Sequence, residues 1–307
     1  MSARILALVA ICCAAVAVAT AAGQQTFRAG VDAVAVDVSV REGSRVITGL
    51  APTDFVVTDN GVRQTVTDVS IGKLPIDVSV VLDVSRSVSG SRLSELRRAI
   101  GEFMRDFTDA DRLRLLVFNE RVRRMVDFTS HPQEIDAALR ETTGRGATSV
   151  LDALAVAMVT AEHPERRQLV VLFGDGADTT SVTSTQVLLD LAQHTNAAVS
   201  VVQPPTATIV TMFGGALDVV TRGAAVGQAE YLKFYRRLAA ETGGVVTIQE
   251  PRQDLTATFR KALDEFRSSY VLRFSPTVTA PGFHTLEVSV PSRPKAALRA
   301  RRGYWGS

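Results

Sequence analysis

Apolar and polar positions change rhythm twice along the chain, and each change marks a different kind of structure. The stretch VDAVAVDVSV (31–40) alternates apolar with small or polar residues, the period of a strand with one buried face. FVVTDNGVRQTVTDVS (55–70) holds two strand-like runs around Asp59-Asn60-Gly61, and Asn-Gly accepts the positive φ angles of a tight hairpin. From Pro75 the runs become short, β-branched and apolar on both faces: IDVSVVLD (76–83), RLRLLVFN (112–119), RQLVVLFGD (167–175), AAVSVVQP (197–204) and GGVVTIQE (243–250). Such strands belong to a mainly parallel sheet covered by helices on each side.

The segments between these runs predict helices. SRLSELRRAIGEFMRDF (91–107) sets Leu93, Leu96, Ile100, Phe103 and Phe107 on one stripe. SVLDALAVAMVTAEH (149–163) and STQVLLDLAQHT (184–195) behave alike, and QAEYLKFYRRLAAETGG (228–244) runs into a glycine pair that stops it. In that last helix Tyr231, Phe234, Tyr235 and Leu238 form an apolar stripe facing the core. RVRRMVDF (121–128) follows its neighbour too closely for a helical crossover and reads as an antiparallel edge strand. A helix at 251–267 closes this part, and β character returns in 268–276, 283–291 and 297–305.

The β segments at the two ends are each too small for a stable sheet alone. They are expected to pack together as one small β-module, with an α/β domain inserted between them. The expected fold class is therefore α/β, a doubly wound and mainly parallel sheet, with a small β-module from the N- and C-terminal flanks. The expected divisions are residues 1–22, 23–71, 72–267 and 268–307. Residues 204–227, rich in Gly, Pro, Thr and Ala, form the longest irregular stretch and read as a mobile loop.

The first 22 residues stand apart. One Arg precedes an unbroken apolar run from Ile5 to Ala19, and Ala19-Thr20-Ala21 offers a small-residue cleavage site, with Thr20-Ala21-Ala22 one residue on as the alternative. This is the layout of a secretory signal peptide, since about 15 apolar residues fall short of the roughly 20 a spanning helix needs. The expected location is periplasmic or secreted, with no membrane span after cleavage. Both cysteines, Cys12 and Cys13, lie inside this leader, so the remaining chain relies on packing and has no thiolate chemistry. The leader holds one of 34 basic residues and none of the 32 acidic ones, so a net charge of +1 remains. Nothing in that balance points to nucleic acid, and the short clusters RVRR and RARR read as solvated faces or strand edges.

Candidate chemistry lies at the carboxyl ends of the strands, where open α/β sheets place their ligands. Asp83 ends the first α/β strand and Asp175 follows the fourth; Ser85 and Ser87 sit at alternate positions after Asp83. TTGRGATSVLDAL (142–154) puts Gly144 and Gly146 in a loop before a helix, with Thr148 at the junction. Three chain-distant elements thus bring two carboxylates and three hydroxyls to one edge, with no thiol and no histidine. Hard oxygen donors of low total charge suit Mg²⁺, with Mn²⁺ or Ca²⁺ as further candidates. A cation held mostly by hydroxyls stays electrophilic and seeks one more anionic ligand, such as an Asp or Glu carboxylate of a protein partner.

These residues resemble a known site. D-x-S-x-S (83–87), a Thr in a Gly-rich loop (148) and D-G (175–176) are similar to the metal-ion-dependent adhesion site of von Willebrand factor A domains. The resemblance covers residues 75 to about 265, and VREGSRVITGLAPTDFVVTDNGVRQ with the closing YVLRFSP and RRGYW extends it to the bacterial, secreted VWFA-related family. It implies that Asp83, Ser85, Ser87 and Thr148 hold a divalent ion directly or through water, and that Asp175 acts through water. It also implies an adhesion or assembly role rather than an enzyme. Gly174 and Ala147 depart from the family pattern, which commonly has Ser or Thr, and Gly, at those places; second-shell support is what they put in question.

Each residue also has a plainer reading. Asp and Ser are common in turns and caps, Thr148 suits a helix N-cap, and Ser89 or Ser91 suits the cap of the first helix. Asp178 and Ser181 read as shaping their turn and capping the helix that follows. His131, His163, His194 and His284 fall on unrelated elements. No nucleophile elbow, Walker loop or dinucleotide fingerprint occurs. A metal with hydroxyls can also activate water, so a metal-free envelope scaffold and a metal-dependent hydrolase are the alternatives to the adhesion reading.

Overall fold

The alternating N-terminal segment folds as strands β1 (Val34–Glu42), β2 (Arg45–Val46), β3 (Val56–Asp59), β4 (Val62–Gln64) and β5 (Val66–Ile71). This computed structural model describes residues 33–85, 91–160, 163, 165–174, 178–203, 216–250, 254–278 and 280–306. The leader, Ser87, Ser89 and Asp175 lie outside the described residues. The hairpin between β3 and β4 turns at Asn60 and Gly61, with φ of 48° and 80°. Both values are left-handed, as the Asn-Gly pair predicts.

The apolar runs form β6 (Ile76–Asp83), β7 (Arg112–Phe118), β8 (Val122–Thr129), β9 (Arg167–Phe173), β10 (Ala198–Gln203) and β11 (Val246–Ile248). They make one sheet in the order β11-β10-β9-β6-β7-β8. Every pair is parallel except β7 with β8, where the edge strand runs back. Helices α1 (Ser91–Met104), α2 (Pro132–Glu141) and α6 (Leu255–Arg267) cover one face; α3 (Val150–Val159), α4 (Thr185–His194) and α5 (Ala216–Thr242) cover the other. Residue alternation along β6 divides the core between them. Val78, Val80 and Leu82 pack with Leu96, Ile100, Phe103 and Phe259, while Val81 packs with Leu154, Met158, Leu188 and Tyr235. This is a doubly wound α/β sheet, and chain order reverses direction between β6 and β9.

Two elements differ from the sequence expectation. Helix α5 begins at Ala216, inside the stretch read as an irregular loop, while 204–215 lies outside the described residues. ALDVVTRGAAVG holds no proline, and a helix of this length tolerates its two glycines at a modest cost. Helix α2 was not expected at all. It carries Pro at its first turn, Glu134 near its start and Arg140 near its end, and buries Ile135, Ala138 and Leu139.

The C-terminal strands are β12 (Tyr270–Phe274), β13 (Gly282–Ser289), β14 (Ala297–Ala300) and β15 (Gly303–Gly306). They pair with the N-terminal ones: β12 lies between β1 and β5, β14 flanks β1, and β13 lies between β3 and β15. Val36, Val38, Val40, Phe55, Leu272, Phe274 and Leu286 form their own core. Tyr270 pins the chain between β2 and β3, donating to the Ile47 carbonyl at 3.0 Å and accepting from the Leu50 N–H at 3.1 Å. Among the described residues no helix is long and apolar enough to cross a membrane.

Candidate metal centre

Asp83 is the last residue of β6 and is fully buried. Its Oδ1 accepts from the Ser85 N–H at 2.7 Å, so the chain folds over its own carboxylate as it leaves the sheet. Ser85 is 2% exposed. The Val84 N–H donates to the Phe118 carbonyl at 2.8 Å, extending the pairing with β7, and the Val84 carbonyl accepts from the Arg145 N–H at 2.8 Å. That last bond seats the Gly-rich loop on the end of β6.

Asn119 holds the same loop from the end of β7. Its side-chain amide donates to the Arg145 carbonyl at 3.1 Å, and its own carbonyl accepts from Ser149 N–H at 2.8 Å and Ser149 Oγ at 2.6 Å. Gly146 has φ of 86°, and a Cβ there would lie 1.6 Å from Glu120 Oε2. The left-handed backbone favours glycine, and the loop passes close to the end of the exposed Glu120 side chain. Thr148, 8% exposed, follows two residues later.

The third approach is from β9. Phe173 pairs with Leu82, and the next residue, Gly174, lies against Asp83; a Cβ on it would stand 3.5 Å from Asp83 Cβ and 3.6 Å from Oδ2. The glycine leaves room beside the carboxylate without being sterically required. Beyond the Gly174 loop, Asp178 and Ser181 do not cap the helix that follows. Asp178 Oδ2 accepts from the Leu151 N–H at 3.0 Å and Ser181 Oγ from the Asp152 N–H at 3.1 Å, so they cap α3 instead. The cap of α4 is Ser184, whose Oγ accepts from the Val187 N–H. The N-cap residue of α3 is Ser149, whose hydroxyl is turned to Asn119 rather than to its own helix.

Asp83, Ser85 and Thr148 therefore stand at the carboxyl edge of the sheet, beside the point where strand order reverses between β6 and β9. The chemistry of this donor set fits a hard divalent cation: one buried carboxylate and two buried hydroxyl residues. Among the described residues no three His, Cys, Asp or Glu side chains gather into a metal-holding group. Two supporting residues were not singled out from sequence, Asn119 and Thr179. Asn119 ends an apolar strand at the same topological position as Asp83, and that placement was the available signal. Thr179, in the hydroxyl-rich DTTS, is contacted by Thr148 through main-chain and side-chain bonds.

Residues 78–177 match the family model of the von Willebrand factor type A domain. The matched segment runs from within β6 to just past the end of β9, inside the α/β part of this chain. Among solved structures, the chain is similar to an aerotolerance-related membrane protein from Bacteroides fragilis NCTC 9343 bearing multiple mutations to serine. The two share 16% identity over 62% of this chain and 98% of that one, with a TM-score of 0.45. The PilB minor pilin from Streptococcus sanguinis is similar at 16% identity, over 62% of each chain, with a TM-score of 0.46. Proximal thread matrix protein 1 from the mussel byssus, solved with a zinc-occupied MIDAS motif, shares 14% identity over 68% of this chain and 49% of that one, with a TM-score of 0.49. No curated protein matches the chain.

Proposed function

We propose that this protein is an extracytoplasmic, non-enzymatic binding module that captures a protein partner through a divalent cation. Mg²⁺ is the proposed ion, with Mn²⁺ or Ca²⁺ as substitutes, and Asp83, Ser85, Ser87, Thr148 and Asp175 are its proposed holders. The observation that carries the reading is the convergence of Asp83, Ser85 and Thr148 at one strand-end edge inside the matched segment. When bound, the cation supplies an electrophilic point to which an Asp or Glu carboxylate of the partner attaches.

The chain's own residues set the terms of that attachment. Asp83 supplies charge from a buried position, and its bond from the Ser85 N–H orients the carboxylate. Ser85 and Thr148 add oxygen donors without adding charge, which leaves attraction for an outside carboxylate. Metal and partner then tighten one another through linkage. Calorimetry with Mg²⁺ and Mn²⁺ on the wild type and on Asp83→Ala tests this. Binding to the wild type and at least a tenfold loss in the variant are expected, with the variant still melting cooperatively. Equal affinity in the two proteins overturns the metal reading and leaves a metal-free scaffold as the better account.

Residues 1–22 are proposed to act as a cleaved signal peptide, on the charge and hydropathy pattern alone. Sequencing the native protein from its N-terminus should then begin at Ala22 or Gly23. A start at Met1 or Ser2 rejects export by cleavage.

A further inference from the structure

Thr148 is gripped by a residue from the neighbouring loop. Its N–H donates to Thr179 Oγ1 at 3.0 Å, and that hydroxyl donates to the Thr148 carbonyl at 3.2 Å. The N–H groups of Thr179 and Thr180 donate to the same carbonyl at 2.8 and 3.2 Å. Two crossed carboxylates extend the joint. Asp178 accepts from Leu151 N–H, Ser181 N–H and Ser181 Oγ; Asp152 accepts from Val182 N–H at 3.1 Å and Thr183 N–H at 2.8 Å. The loop after β9 and the first turn of α3 are in this way tied together in both directions.

We infer that Thr179 is a positioning residue of the metal centre, fixing the Thr148 main chain against the loop that follows Gly174. The inference rests on the metal reading of Asp83, Ser85, Ser87, Thr148 and Asp175. Its physical core is an acceptor count. The main-chain donors of Thr179 and Thr180 serve the Thr148 carbonyl, and the Thr148 N–H donates to the Thr179 hydroxyl. Valine at 179 keeps the branched shape and removes that acceptor; serine keeps the acceptor and removes the methyl. A role in simple packing and a role in positioning thus respond oppositely to the two substitutions.

The test titrates MgCl₂ alone into the full chain as wild type, Thr179→Val and Thr179→Ser, with hydrogen exchange at the Thr148 amide followed in the absence of metal. Thr179→Val is expected to weaken Mg²⁺ binding about tenfold, the lower end of what outer-shell partners of metal ligands command. It should also speed exchange at Thr148, while Thr179→Ser stays near the wild type in both. Wild-type affinity in Thr179→Val overturns the inference while leaving the metal site standing. Equal losses in the two variants also overturn it, because the methyl and not the hydroxyl is then at work. A wild type that takes up no Mg²⁺ overturns the metal reading itself and the inference with it.

Discussion

Both ring nitrogens of His284 face oxygen acceptors. Nδ1 lies 2.8 Å from Asp59 Oδ1, and Nε2 lies 2.7 Å from the Ala280 carbonyl. A ring that donates from both nitrogens carries two protons and a positive charge; the Tyr304 hydroxyl also lies 3.3 Å from Nδ1. Tyr304 closes the cluster by donating to Asp59 Oδ2 at 2.7 Å, and burial together with Asp59 raises its own pKa, which keeps the phenol protonated. Asp59 on β3 and Tyr304 on β15 are the titratable groups that face the ring, while Glu287 points to the other side of β13. The Ala280 carbonyl raises the His284 pKa most; burial opposes it and the Asp59 carboxylate adds to it. A raised folded pKa means stability that is fully present below the unfolded value of about 6.5 and is lost as pH climbs through the folded value. Melting temperature should therefore fall as pH rises above about 6.5 in the wild type and stay flatter in His284→Gln. Parallel profiles for the two proteins would show that His284 does not titrate in that range. None of this was legible in the sequence. Asp59 read as part of a turn, and its partners lie more than 220 residues away.

At the scale of elements, α3 is fixed at both ends by side chains from its neighbours. Asp178 and Ser181 cap its N-terminus, and Arg114 of β7 caps its C-terminus. The Arg114 side chain is buried, donating to Thr160 Oγ1 at 2.6 Å and to the carbonyls of Thr160 and Ala157 at 3.0 and 3.1 Å. It also donates to Ser79 Oγ at 2.8 Å, and its Cζ stands 4.6 Å from the centre of the Phe128 ring. A cation at the negative end of a helix is favourably placed. Burial nevertheless lowers its pKa, so the site is held by acceptors more than by countercharge. Arg114→Met should cost about 1–3 kcal/mol, the usual penalty for stranding buried polar groups, read as a lower urea midpoint at unchanged slope. Arg114→Lys should recover part of it, because a lysine lacks the fork that spans two carbonyls. An unshifted midpoint in Arg114→Met would remove the capping role. The sheet was readable because its strands are apolar on both faces. The caps were not, since RLRLLVF places an arginine in the core without naming the carbonyls it meets. Helix α2 was missed although Ile135, Ala138 and Leu139 recur at helical spacing behind Pro132, so its signal was present in the sequence.

At the scale of the whole molecule, the three cores do not share strands. The two clusters flanking the large sheet draw on residues between Ile76 and Phe266, while the third draws only on segments before Ile76 and after Arg267. The requirement that short end segments find partners was visible in the sequence; which strands pair, and in what register, was not, because antiparallel pairing over 230 residues leaves no local trace. What joins the two parts is mostly polar. Arg167 of β9 donates to Asp37 of β1 at 2.7 Å and to the Phe266 carbonyl, with its guanidinium 4.0 Å from the centre of the Phe266 ring. Arg299 reaches Glu265 at 3.0 Å, and Arg301 reaches Asn196 at 2.6 Å. We propose that residues 72–267 fold as a domain in their own right, since both of their cores survive removal of the ends. The fragment should melt cooperatively but at a lower temperature than the full chain, because Arg167 loses the Asp37 carboxylate. Asp37→Ala in the full chain isolates that term and should cost about 1–2 kcal/mol, reduced from the fully buried case by the partial exposure of Asp37. A fragment with no cooperative transition would show that the α/β sheet depends on the β strands for more than these contacts.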